Sequence, residues 1–298
     1  MSAPDPSRRT VLAGLSTIAL GALAGCSSLL GGSNEDESAY RNWLYDQSHY
    51  TDEKNQASLW FDSPTELMAA EDHIPNPVIN QSLATPLRPR SDLASIDWAI
   101  WYHNELGVTP GVRAFGGSFD SNTAREMVTA MGPSVDDDNS PETVDEYELV
   151  AYDDDQYGLY RDGEAVFVES AASEDVVRDL VTERSKSPSK LADSIQQFID
   201  RVGFETTASV QFEPTDGTEF TGTGTGYTVD GQTTDVRYVH LNGDLSVEDL
   251  QEVGHKIEAL SAVTVDEEGP VRWLEGTVDT DRTALNGTMF DQSAAPFE

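Results

Sequence analysis

A body that carries 54 acidic and only 18 basic side chains must fold against its own repulsion, a constraint that precedes any motif. The formal net charge is −36, and only Lys54, Lys186, Lys190 and Lys256 are lysines. Such a chain is disordered, binds cations, or lives in concentrated salt. Disorder fits poorly, because 38% of the residues are hydrophobic, with five tryptophans and ten each of tyrosine and phenylalanine to build a core. The acid is spread over the whole chain, in clusters at 35–37, 136–138, 153–155 and 266–268. In multimolar salt the Debye length falls to about 3 Å or less, and the self-repulsion is screened. High salt is therefore the leading reading of the charge, and it makes each acidic cluster weak evidence for a metal site. A surface of this sign repels phosphate backbones and anionic lipid head groups, so nucleic acid is not expected as a partner.

The first thirty residues carry an address. Ser7-Arg8-Arg9-Thr10 precedes Val11 to Gly25, a run with no charged residue. That run is shorter than the ~20 apolar residues that span a bilayer. A charged start, a short apolar core and a small-residue end make a signal peptide. The paired Arg8 and Arg9 resemble the twin-arginine export signal. Leu23-Ala24-Gly25-Cys26 resembles the lipobox of secreted lipoproteins, which implies a diacylglyceryl thioether on Cys26 and cleavage before it. Cys26 is the only cysteine, so no disulfide can form within the chain and lipidation is the chemistry left for this thiol. Residues 27–38, with Gly31-Gly32-Ser33 and Glu35-Asp36-Glu37, read as a solvated tether. Two acyl chains on one glyceryl group hold stably where one would not. Removing 1–25 leaves 53 acidic and 16 basic residues, a net charge of −37.

The rest of the chain reads as α+β. Residues 40–80 look irregular, rich in aromatics (Tyr40, Trp43, Tyr45, Trp60, Phe61) and prolines. Strands are expected at 97–103 and 111–120, then a helix capped by Ser121 with Ala124, Met127, Val128 and Met131 on one face. Strand 147–153 precedes a hairpin, 157–161 with 164–169, turned at Asp162-Gly163. Two helices follow, one capped by Ser173 and one from 191 to 202. The second half has strands at 208–212, 235–241, 262–265 and 271–278. It also has a helix capped by Ser246, with Asp249 completing a capping box. The expected organisation is signal peptide 1–25, lipidated tether 26–39, N-terminal irregular segment and first strand 40–110, α+β units 111–202 and 203–280, and a loose tail 281–298.

Two segments form a weak internal repeat. One runs Val112-Arg113 … Ser118-Phe119-Asp120-Ser121 into a helix; the other runs Val236-Arg237 … Gly243-Asp244-Leu245-Ser246 into a helix. The fold class expected is α+β, antiparallel sheets with helices on one face, with two ferredoxin-like sandwich units as its finer form. High acid, few lysines and the arginine-pair signal together resemble twin-arginine-exported lipoproteins of halophilic archaea. The strand-helix layout of about 112–202 is similar to theirs, and the resemblance implies no activity.

Candidate chemistry is sparse. His49, His73, His103, His240 and His255 show no zinc spacing, and each reads as an ordinary surface or half-buried residue. Gly116-Gly117-Ser118 lacks the third glycine of a nucleophile elbow and reads as a tight strand-to-helix turn. Gly222-Thr-Gly224-Thr-Gly226 superficially resembles a phosphate loop, yet no Lys-Ser/Thr follows, so a flexible or edge-strand segment is expected. The acidic triplets lack the alternating calcium-loop pattern. Trp98, Trp101 and Tyr102 could stack on a sugar. Alternation puts Trp98 and Tyr102 on one face and Trp101 on the other, so at least one face is core. Asn80 and Asn286 head glycosylation sequons.

No catalytic residue, metal site or cofactor is expected. The leading reading is a non-enzymatic cell-surface lipoprotein, a binding or structural module at a halophile's envelope. It would sit on the outer face of the membrane, anchored through Cys26, and meet an envelope protein or a solute. The alternatives are a substrate-binding lipoprotein of an import system, and a surface hydrolase with no recognisable motif. A two-lobed cleft would favour solute import; a packed sandwich would favour the surface module.

Overall fold

A computed structural model describes residues 39–46, 56–74, 93–104, 107, 109–132, 141–153, 155–171, 173–184, 191–215, 219–243 and 245–282. The chain divides into two units, Met1–Ala39 and Tyr40–Glu298, and the fold below is that of the second. Twelve strands form one antiparallel sheet: β1 Ala57–Asp62, β2 Ile96–Asn104, β3 Gly111–Gly117, β4 Glu142–Val144, β5 Tyr147–Asp153, β6 Gln156–Arg161, β7 Glu164–Glu169, β8 Thr207–Pro214, β9 Phe220–Asp230, β10 Thr233–Leu241, β11 Ser261–Glu268 and β12 Val271–Asp279. The helices are α1 Pro64–Ala69, α2 Ser121–Met131, α3 Glu174–Arg184, α4 Asp193–Val202 and α5 Val247–Lys256, with a 3-10 turn at Ala39–Trp43. The α+β class and the antiparallel pairing are as the sequence predicts.

The sheet order is β11-β12-β10-β9-β8-β1-β2-β3-β7-β6-β5-β4. Where two sandwich units were expected, a single sheet runs through both, because β1 and β8 pair directly, from Ala57↔Phe212 to Asp62↔Thr207. That pair is also a centre of symmetry in the topology. Going outward from it, β1-β2-β3-β7-β6 on one side answers β8-β9-β10-β12-β11 on the other. Helix α2 follows β3 and packs on β6 and β7; α5 follows β10 and packs on β11 and β12. The two segments that repeat in the sequence therefore hold equivalent places in the strand order, one on each side of the β1–β8 pair. Residues 203–206 are the turn from α4 into β8, with Gly203 at φ 73°.

One row of directly opposed residues crosses the sheet: Gly158, Phe167, Arg113, Trp101, Trp60, Ser209, Thr225, Tyr238, Leu274. Opposed residues share a face. At one end Val128 of α2 lies against Gly158, and at the other Gly254 of α5 lies against Leu274. Helix α1 shares this face, with Leu67 packed among Tyr227, Val236 and Val278. The other face is buried along the row Val239, Gly224, Val210, Leu59, Tyr102, Val112, Val168. It carries α4 and the turn Ala39–Trp43, whose Tyr40 packs on Phe61 and Trp98. Helices thus cover both faces rather than one, because the buried face of so wide a sheet needs its own cover.

Local sequence explains how α4 seats. Gly222, Gly224 and Gly226 alternate along β9 onto the α4 side, where Phe198 and Val202 descend onto them. The run read as a flexible or edge segment is thus an interior strand of the sheet, and its glycines let a helix approach closely. Ile195, Phe198, Ile199 and Val202 are buried on α4, each contributing about 1.5–3 kcal/mol relative to exposure. One cap differs from expectation. Asp120, not Ser121, caps α2, accepting from Thr123 N at 2.9 Å, because Ser121 already has helical backbone. The capping box of Ser246 and Asp249 forms in full.

A candidate binding face at the centre of the sheet

Between α2 and α5 the middle of the crossing row has no helix over it, and two tryptophans stand there. Trp60 is 36% exposed and Trp101 37% exposed; they are the exposed large hydrophobics among the described residues. Alternation puts Ala57, Leu59 and Phe61 of β1 into the buried face, which sends Trp60 to the open one. On β2 the same rule buries Trp98, Ile100 and Tyr102 and sends Trp101 out. The expected split of this aromatic cluster is observed. Its partner, Trp60, lies in a stretch that reads as irregular in sequence but forms β1.

The two rings meet because Trp60 and Trp101 are opposed across β1 and β2. They stack with centroids 5.0 Å apart and planes inclined 29°. His103, two residues along β2 on the same face, lies 5.1 Å from Trp60 and 4.7 Å from Trp101. Arg113, opposite Trp101 on β3, sets its guanidinium 4.6 Å from that ring's centroid, a cation–π contact. Glu169 holds the other side of the guanidinium at 3.5 Å.

The floor beside the rings has open valences. Ser58 is 1% exposed, and its Oγ has no hydrogen-bond partner. It stands opposite His103, whose buried Nε2 is also without a partner, as is Arg113 Nε. A buried polar atom left unpaired costs about 1–3 kcal/mol, so three together are unusual in a packed sheet. From Trp60 toward β9 the face continues as hydroxyls and amides: Ser209 and Gln211 on β8, Thr221 and Thr223 on β9.

Asp62 lies on the same face near α1. Burial raises its carboxyl to about 7, against the bond that Thr207 Oγ1 donates at 2.6 Å. Between about pH 4 and 7 the folded state keeps a proton that the unfolded chain releases, so stability falls as pH rises through that window. Asp62→Asn can still accept from Thr207 without ionising. It should stabilise the protein by about 2 kcal/mol at about pH 8, roughly half the full displacement because the half-buried carboxylate keeps some water contact. The gain should vanish near pH 4; thermal midpoints across that range measure it, and a pH-independent gain would refute the titration.

The remaining candidates lie elsewhere. His240 is buried opposite Arg272, and desolvation, aided by that cation, lowers it to about 4. His255 is exposed on α5 with Nδ1 2.6 Å from Gln251 O, and His73 is exposed after α1. Gly116 and Gly117 end β3 in the expected turn; a Cβ at Gly117 would lie 2.1 Å from Ser95 O. A shallow depression on the other face, lined by Arg237, Glu275 and Gly226, is spanned by the Arg237–Glu275 pair at 2.7 Å. Among the described residues no group of His, Cys, Asp and Glu is placed to hold a metal ion. No described helix is long and apolar enough to cross a membrane. Arg8, Arg9, Leu23, Ala24, Gly25, Cys26, His49, Asn80, Asp136 to Asp138 and Asn286 lie outside the described residues.

No protein-family model matches the chain, and no curated protein is significantly similar to it. Among solved structures it is similar to crystal form III of TP0453, at 6% identity over 80% of this chain and 95% of that one, with a TM-score of 0.44. Crystal form IV of TP0453 gives 10% identity over 83% and 98% of the two chains, also with a TM-score of 0.44. At these values the likeness says nothing of what the chain does.

Proposed function

We propose that this chain is an exported, lipid-anchored protein of the outer membrane face, and that its folded body is a non-enzymatic binding module. The observation that carries the reading is the order of arginine pair, uncharged apolar run and Leu23-Ala24-Gly25-Cys26. Its signal resembles those of twin-arginine-exported lipoproteins of halophilic archaea. The acid load suits the concentrated salt in which such a surface would work. The body supports a surface module over an import receptor, because it is built on one sheet rather than on two lobes about a cleft. The stacked tryptophans on an open face support binding over a purely structural role.

Mass spectrometry of protein purified from membranes in molar salt tests the anchor. The mature chain should begin at Cys26 and carry a diacylglyceryl thioether. Cys26→Ser should lose both the modification and the cleavage. A mature N-terminus elsewhere, with Cys26 unmodified, would overturn the reading.

A further inference from the structure

We propose that the centre of the open face is a carbohydrate site that takes a neutral, extended polysaccharide chain. The site rests on the binding-module reading and names its ligand class. Three observations point to a hydroxyl-rich ligand with apolar faces. Trp60 and Trp101 are more than a third exposed, where side chains of this size are usually covered. Ser58 Oγ, His103 Nε2 and Arg113 Nε are buried without partners beside those rings. A ligand carrying hydroxyls can satisfy all three, since a hydroxyl both donates and accepts. Trp60, stacked on both Trp101 and His103, is the side chain whose swing would admit a hydroxyl to Ser58.

Charge selects among hydroxyl-rich ligands. The two charged groups nearest the rings are already paired, Arg113 with Glu169 and Asp62 with Thr207. Ser209, Gln211, Thr221 and Thr223 are uncharged, and the charge at the far end of the strip, Glu213 opposite Thr221, is negative. A polyanion's carboxylates would find no free cation among the described side chains of this strip, and contact-range pairing is what survives screening in molar salt. From β2 to β9 the strip crosses three strand spacings, about 14 Å, and an extended chain can lie along it.

The test uses the full chain in detergent and molar salt, titrated with cellohexaose and, separately, with an oligogalacturonate of similar length. Tryptophan fluorescence and calorimetry read the binding. Cellohexaose should bind saturably, and the oligogalacturonate at least about tenfold more weakly. Trp101→Ala and Trp60→Ala should each weaken cellohexaose at least about tenfold while leaving the thermal midpoint within about 3 °C, since both side chains are exposed. Ser58→Ala should weaken binding while removing an unpaired buried hydroxyl, so its midpoint should not fall. Absence of saturable cellohexaose binding at about 1 mM would overturn the proposal, as would tryptophan variants that bind as well as the parent. Equal binding of the acidic oligomer would overturn the neutral-ligand assignment. The mass of Cys26 in the same preparation reports on the anchor independently, so failure of this site is distinguishable from failure of the lipoprotein reading.

Discussion

Replacing Glu164 with leucine should destabilise the folded body by about 3–5 kcal/mol. Glu164 opens β7, is 6% exposed, and accepts from donors on separate elements. Tyr147 donates its hydroxyl from β5, Arg161 its guanidinium from β6, and Trp43 its Nε1 at 3.3 Å from the turn before β1. The carboxylate thus ties the N-terminal turn to three strands on the buried face. Arg161 also lies over the Tyr147 ring and pairs with Glu146, so it keeps one anion when Glu164 is lost. Tyr147 and Trp43 would lose the carboxylate from their buried surroundings. Leucine fills part of the volume and accepts nothing, so the bonds these donors make to the carboxylate are lost.

Glutamine is the informative second variant. It can still accept one or two of the bonds, but its amide turns a donor toward donors, and a loss of about 1–3 kcal/mol follows. Burial raises the Glu164 carboxyl above its usual range, against the pull of Arg161. A raised carboxyl stabilises less as pH rises from its unfolded value, so the gap between parent and Glu164→Gln should narrow as pH rises above about 4. Denaturant unfolding of the full chain in molar salt gives the values. Leucine and glutamine variants that both unfold within about 0.5 kcal/mol of the parent would show that the network is ornamental.

Gly226→Ala should cost about 3 kcal/mol, more than Gly224→Ala two residues away on the same strand and face. A Cβ at Gly226 would lie 2.2 Å from Val202 O and 2.8 Å from Gly203 O, the backbone that ends α4. Backbone cannot rotate away, so the helix must lift from the sheet. At Gly224 the nearest atoms are Val202 Cγ2 at 2.6 Å and Val210 Cγ1 at 2.7 Å, side-chain ends that can give. The order of the two losses is the content of the prediction. Lifting α4 would expose part of the stripe made by Ile195, Phe198, Ile199 and Val202, so the loss should come with a broadened transition. If Gly226→Ala melts with the parent, or Gly224→Ala is the worse variant, the close approach of α4 does not govern its seating.

Much of this arrangement is written locally. Alternation along 96–104 sorts Trp98, Ile100 and Tyr102 inward and Trp101 outward, because successive side chains in a strand point to opposite faces. The Asp162-Gly163 turn needs a residue at positive φ, and Gly163 supplies it at 76°. Ser246 and Asp249 announce the start of α5, because their groups satisfy orphan donors of the first turn. The matched strand-to-helix passages at 112–121 and 236–246 foretell two equivalent helices, and the topology places them so.

What stayed hidden is which strand lies beside which. Nothing local in Ala57–Asp62 says that it will be flanked by residues 96–104 on one side and 207–214 on the other. Pairing over such separations is settled by the total burial that the sheet achieves, and the short strand then looks like aromatic-rich coil. The same holds for its consequences. Trp60 meets Trp101 only because β1 and β2 are in register, and Glu164 finds Trp43 only across 121 residues of chain. Composition and the N-terminal segment alone determined the charge, the lone thiol and the order of arginine pair, uncharged run and Leu23-Ala24-Gly25-Cys26, since these need no neighbours. One sheet instead of two, helices on both faces, and the open aromatic row between them were decided by tertiary contact.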